Sequence, residues 1–174
     1  MSHFYLDASA VVKRYSPETG TAWVRALTDP TAGHTVMLGD ITLAEVAAAI
    51  AAKHRAPGGI TVEERDNAVG LFLSHCITDY ELIAVNRSII DRAVNLTLNH
   101  KLRGYDAVQL ATALVANEAL TAADLAPLSF VTAAQTWSPQ PVPKVSPPKT
   151  PISTSLPNDA PASCSRRLST KASG

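Results

Sequence analysis

FYLDASAVVKRY, residues 4–15, sets one carboxylate, Asp7, directly after an apolar run and ahead of small, apolar and basic residues. Residues 3–6 read as a short strand, and the segment after them as a short helix. An acid at this handover stands at the carboxyl end of a strand, where open α/β sheets bind their ligands. Asp7, or Ser9 after it, also suits the N-cap of the helix, so the acid has a purely local explanation as well.

Further along, short apolar runs keep alternating with longer helical periods. Ser16 is placed to cap a helix with Pro17 in its first turn, ending near Asp29-Pro30. TVML (35–38) reads as a second strand, and ITLAEVAAAIAAKHR (41–55) as a helix stopped by Pro57-Gly58-Gly59. Thr61 with Glu64 forms a capping-box pattern opening another helix. ELIAV (81–85) is a third strand. RSIIDRAVNLTLNHKL is amphipathic, with Ile89, Ala93 and Leu96 on one side, and is broken by Gly104. YDAVQLATALVANEAL is a further helix, and LSFVT (128–132) a last strand. Strands alternating with helices predict a helix-rich α/β sandwich around a parallel sheet.

The 174 residues suit one domain with an appendage, and 46% apolar content suffices for a core. Residues 1–137 carry 10 Lys and Arg against 14 Asp and Glu, a net −4, while residues 138–174 carry 5 against 1, a net +4. An acidic body argues against holding nucleic acid by bulk charge and suits acids gathered around cations. The stretch 138–174 holds 8 of the 12 prolines, with much Ser and Thr, and reads as a disordered tail. Cys76 and Cys164 cannot form a disulfide framework, no signal peptide is evident, and no apolar run approaches a membrane span. A soluble cytoplasmic protein is expected.

Two more acids resemble Asp7 in setting. Glu45 has Ile41, Ala48, Ala49 and Ala52 as helical neighbours and so faces an apolar stripe; Thr42-x-x-Glu45 is also a capping-box pattern. Asp106 heads a stripe continued by Leu110 and Leu114, in a first turn where the helix dipole welcomes an acid. Three inward acids would repel one another and raise their pKa values without a positive charge among them. A divalent cation satisfies all three, and oxygen ligands favour Mg²⁺ or Mn²⁺ over zinc. Lys13 and Arg14 follow Asp7 closely and are candidates for contact with a phosphate backbone. Trp23 and Phe72 read as core or interface residues, and the five histidines show no metal spacing.

FYLDASAVVKRY, TLAEVAAAI, GYDAVQLATAL and SFVTA, in that order, resemble a PIN-domain nuclease, and more narrowly the VapC-type toxins of bacterial toxin–antitoxin pairs. The resemblance runs from the first residues to about Trp137. It implies a PIN-like α/β/α sandwich over residues 1–137, metal-dependent cleavage of RNA, a cognate antitoxin and a homodimer. It also implies that Asp7, Glu45 and Asp106 are the catalytic acids and metal ligands, with Ser9 steadying the first. One departure stands out. Where the family has a fourth acid after the last strand, this chain has Ala134, and Thr132 offers only a hydroxyl. The alternative to an endoribonuclease is therefore an impaired PIN-fold module that binds antitoxin or a partner subunit without cutting RNA. Phosphatases of the haloacid-dehalogenase type also begin with an acid after a first strand. They need a second acid two residues on, where this chain has Ser9.

Overall fold

A computed structural model describes residues 1–133 of the chain. The expected tail (138–174), Ala134 and Cys164 lie outside the described residues. Within them, four strands, β1 (His3–Leu6), β2 (Thr35–Gly39), β3 (Tyr80–Ile83) and β4 (Leu128–Val131), form one sheet in the order β3-β2-β1-β4. Every neighbouring pair is parallel.

Six α-helices connect the strands. They are α1 (Ala8–Tyr15), α2 (Thr21–Leu27), α3 (Ile41–Arg55), α4 (Val62–Thr78), α5 (Arg87–Asn99) and α6 (Gly104–Ala122). Period-2 alternation along the strands sends residues to two separate cores. Leu6, Val36 and Leu38 join Val11, Val46, Ile50 and Phe72 from α1, α3 and α4. Tyr5 and Met37 point the other way, to Ala113, Ala116 and Leu120 of α6, beside which α5 packs Ile89 and Ala93. The result is the expected α/β/α sandwich.

The path β1→β2→β3 moves outward along the sheet, and the long return through α5 and α6 brings β4 back beside β1. The strand order therefore reverses next to β1. Asp7 lies at that reversal, where its backbone N–H donates to the Val131 carbonyl at 3.0 Å. A crevice at the carboxyl ends of the strands is the expected outcome of such a reversal.

Local signals held unevenly. The Thr61–Glu64 capping box forms in both directions at the start of α4. Ser16 does not open α2 but closes α1, its N–H donating to the Val12 carbonyl, and α2 begins only at Thr21 after Gly20. Gly20 has φ +94°, a left-handed backbone that glycine adopts without strain. Thr42 caps nothing; it is fully buried inside α3. Gly104 opens α6 instead of merely ending α5. Phe72 is core, whereas Trp23 is 55% exposed and does not belong to the core. Among the described residues, no helix is long and apolar enough to cross a membrane.

Candidate active site

Asp7 is the N-cap of α1. Its Oδ1 accepts from the Ala10 N–H at 2.9 Å and from the Ser9 hydroxyl at 2.6 Å. Both contacts fall on one oxygen, so capping leaves Oδ2 for another task. Ser9 in turn accepts from the Ala133 N–H at 3.0 Å, and its hydroxyl lies 3.4 Å from that of Thr132. This one serine ties the acid to the segment that follows β4.

Glu45 comes from the second turn of α3 and is half-buried. Its Oε2 accepts from the Gln109 amide at 2.5 Å. Burial is the main cause that lifts its pKa above the ordinary carboxylate value. The Gln109 hydrogen bond opposes the rise, and the charges of Asp7 and Asp106 add to it. The charges of Asp7, at the start of α1, and of Asp106, in α6, therefore both reach Glu45. Asp106 sits exposed in the first turn of α6. None of the ion pairs among the described residues involves Asp7, Glu45 or Asp106.

Gln109 escaped the sequence reading. It is buried one turn after Asp106, and its Oε1 accepts from the Tyr5 hydroxyl at 2.6 Å. That contact turns the amide so that its Nε2 donates to Thr42 Oγ1 at 2.9 Å and to Glu45. Burial holds the Tyr5 hydroxyl protonated far above its usual range, so it remains a donor. Gly39 leaves room for it, since a Cβ there would lie 2.8 Å from Tyr5 Oη. The available signal was a lone amide inside the apolar run AVQLATALV.

Lys13 and Arg14 occupy the last turn of α1, at the end opposite the Asp7 cap. Arg14 donates to the Tyr80 hydroxyl at 2.7 Å and to Asp79 at 3.0 Å, at the amino end of β3. Lys13 donates to the Thr19 carbonyl at 2.8 Å and faces Glu18. Eight residues of helix carry these cations away from the acids, at about 1.5 Å per residue.

A family model for the PIN domain matches residues 4–126, most of the chain. The chain belongs to the PIN domain family. Among solved structures, VapC20 of Mycobacterium tuberculosis, described as a sarcin–ricin loop cleaving toxin, is similar with a TM-score of 0.50 and 13% identity. The match covers 75% of this chain and 91% of that one. At that identity the likeness is one of fold. No curated protein sequence matches the chain.

Asp7, Glu45 and Asp106 carry hard oxygen donors of the kind that suits Mg²⁺ or Mn²⁺, and among the described residues no basic side chain is in an ion pair with them. Among the described residues, however, no three His, Cys, Asp or Glu side chains converge tightly enough to enclose an ion. The three carboxylates suit a divalent cation in chemistry but do not form a closed site for one.

Proposed function

We propose that this PIN domain is a divalent-metal-dependent endoribonuclease and the toxin of a toxin–antitoxin pair. One observation supports the reading: the charges of Asp7 and Asp106 both bear on the half-buried Glu45, and among the described residues none of the three carboxylates is in an ion pair. Asp7, Glu45 and Asp106 would hold Mg²⁺ or Mn²⁺, which would supply charge neutralisation at a phosphodiester and a water of lowered pKa. The chain's own residues do the positioning. Ser9 and the Ala10 N–H fix the Asp7 carboxylate, Gln109 fixes Glu45, and α6 presents Asp106 to solvent where a strand of RNA can approach. RNA is the proposed substrate because the fold is shared with an RNA-cleaving toxin. A cognate antitoxin, a homodimer and a cytoplasmic location belong to the same proposal.

The test is cleavage of a pool of structured and single-stranded RNA by purified protein with Mn²⁺, Mg²⁺ or EDTA. Metal-dependent cutting that falls at least about a hundredfold in Asp7→Asn is expected. Cutting that persists in EDTA or in the variant would contradict the proposal. A second reading, a binding module without cleavage, is favoured by Ala134 at the fourth acid's place and by the open cluster. A folded protein that cuts nothing under any of these conditions selects it.

A further inference from the structure

The described residues contain ten Lys and Arg. Six are held in ion pairs: Lys13 and Lys53 with Glu18, Arg14 with Asp79, Arg65 with Asp66, Arg87 with Asp91, and Arg92 with Glu118. Arg25 donates to the Arg14 carbonyl. Arg55, Lys101 and Arg103 are left, all exposed. Arg55 ends α3, at the pole away from Glu45. Lys101 and Arg103 both stand in the short link between α5 and α6, within five residues of Asp106.

Local stability does not explain Arg103. It is the N-cap of α6 and makes no side-chain cap hydrogen bond. Ser, Thr, Asp or Asn would serve better there, and a cation opposes the positive end of the helix dipole. Two residues later Tyr105, which directly precedes Asp106 in the chain, is 62% exposed. The link itself is anchored. Leu102 packs against the cluster of Ile89, Ala93, Ala107 and Ala111, and the Arg103 carbonyl accepts from the Ala107 N–H at 2.9 Å.

We propose that the segment 101–105 is the RNA-binding lip of the acidic site, with Lys101 and Arg103 taking backbone phosphates and Tyr105 stacking on an unpaired base. The proposal rests on the ribonuclease reading and names the part of the surface that holds the substrate. Cations beside acids solve a problem of charge. An acidic cluster on an acidic domain repels RNA, and two free cations at its rim draw the backbone in while base stacking adds affinity without sequence preference.

The test uses the full chain carrying Asp7→Asn, with Mg²⁺ and a fluorescent single-stranded RNA, followed by anisotropy from low to moderate salt. Lys101→Ala and Arg103→Ala should each weaken binding and flatten the log–log salt dependence by about 0.7, one phosphate contact on a single strand. Tyr105→Ala should weaken binding about tenfold with the slope unchanged, and Tyr105→Phe should restore it. Arg55→Ala should bind like its parent. Lip variants that bind with the parent's affinity and slope, while the wild-type protein still cuts RNA with metal, would overturn the lip alone. A folded protein that neither binds nor cuts RNA would overturn the ribonuclease reading and the lip with it.

Discussion

Gln109 does the quiet work of the site. Among the described residues its amide is the one hydrogen-bond donor to Glu45, and the Tyr5 hydroxyl fixes its orientation. Gln109→Leu keeps the volume, removes the donor and leaves the Tyr5 hydroxyl without its acceptor. It should cut RNA cleavage by about 10- to 100-fold, the usual effect of losing a residue that orients a ligand. Circular dichroism should show a folded protein, and Gln109→Glu, which can still accept from Tyr5, should not restore activity. Gly39→Ala tests the same cluster by steric means. The new Cβ collides with the Tyr5 hydroxyl, at a cost of about 1–3 kcal/mol in urea unfolding. Tyr5→Phe in the same chain should recover part of that loss, because the colliding oxygen is gone. Glu45 was conspicuous in the sequence because its carboxylate faces an apolar stripe; Asp106, expected to face inward as well, is exposed. Gln109 was inconspicuous, since a buried amide has no motif and its partners come from β1 and α3, 104 and 64 residues away.

Helix α1 has two ends with different duties. Asp7 opens it at the candidate site, and Arg14 and Tyr15 close it in a polar cluster at the other edge of the sheet. There the Tyr15 hydroxyl meets His75 Nδ1 at 2.9 Å and the Tyr80 hydroxyl at 2.8 Å, while Arg14 bridges Tyr80 and Asp79. Burial pushes the Asp79 carboxyl up, yet hydrogen bonds from Thr78 and Arg14 and the nearby His75 and Arg14 charges hold it below its ordinary value of 3.8. A carboxyl depressed in the folded state adds stability above its unfolded value and loses it as the pH falls through the folded one. Asp79→Asn should therefore cost about 3 kcal/mol near neutral pH by leaving a largely buried Arg14 unpaired. The gap to wild type should begin to narrow as the pH falls below about 4 in denaturant titrations, and a pH-independent gap would refute the assignment. Proximity in sequence suggested that Lys13 and Arg14 serve the acid at residue 7, and helix rise separates them. Ser16 was likewise read as an opening cap because Ser-Pro suits either end of a helix. Only the neighbouring turn decides which.

The whole domain was the most legible part. Four short apolar runs separated by helical periods leave little choice but a parallel sheet with helices on both faces. The right-handed crossover rule then narrows the strand orders. What sequence could not supply was the reversal beside β1, because the return of β4 depends on long-range packing of α6 against Tyr5 and Met37. With that reversal the charges of Asp7 and Asp106, about a hundred residues apart in the chain, both come to bear on Glu45, and the proposal is that the three acids form a single site. If they hold one ion in common, each must matter to binding even without RNA. The direct measurement is Mn²⁺ binding to the purified protein, by calorimetry or by electron paramagnetic resonance of the free ion, for wild type, Asp7→Asn, Glu45→Gln and Asp106→Asn. A shared site predicts that wild type binds Mn²⁺ and that each substitution weakens it at least about tenfold. Wild-type affinity in any one of the three folded variants would remove that acid from the site, and in all three would contradict the account.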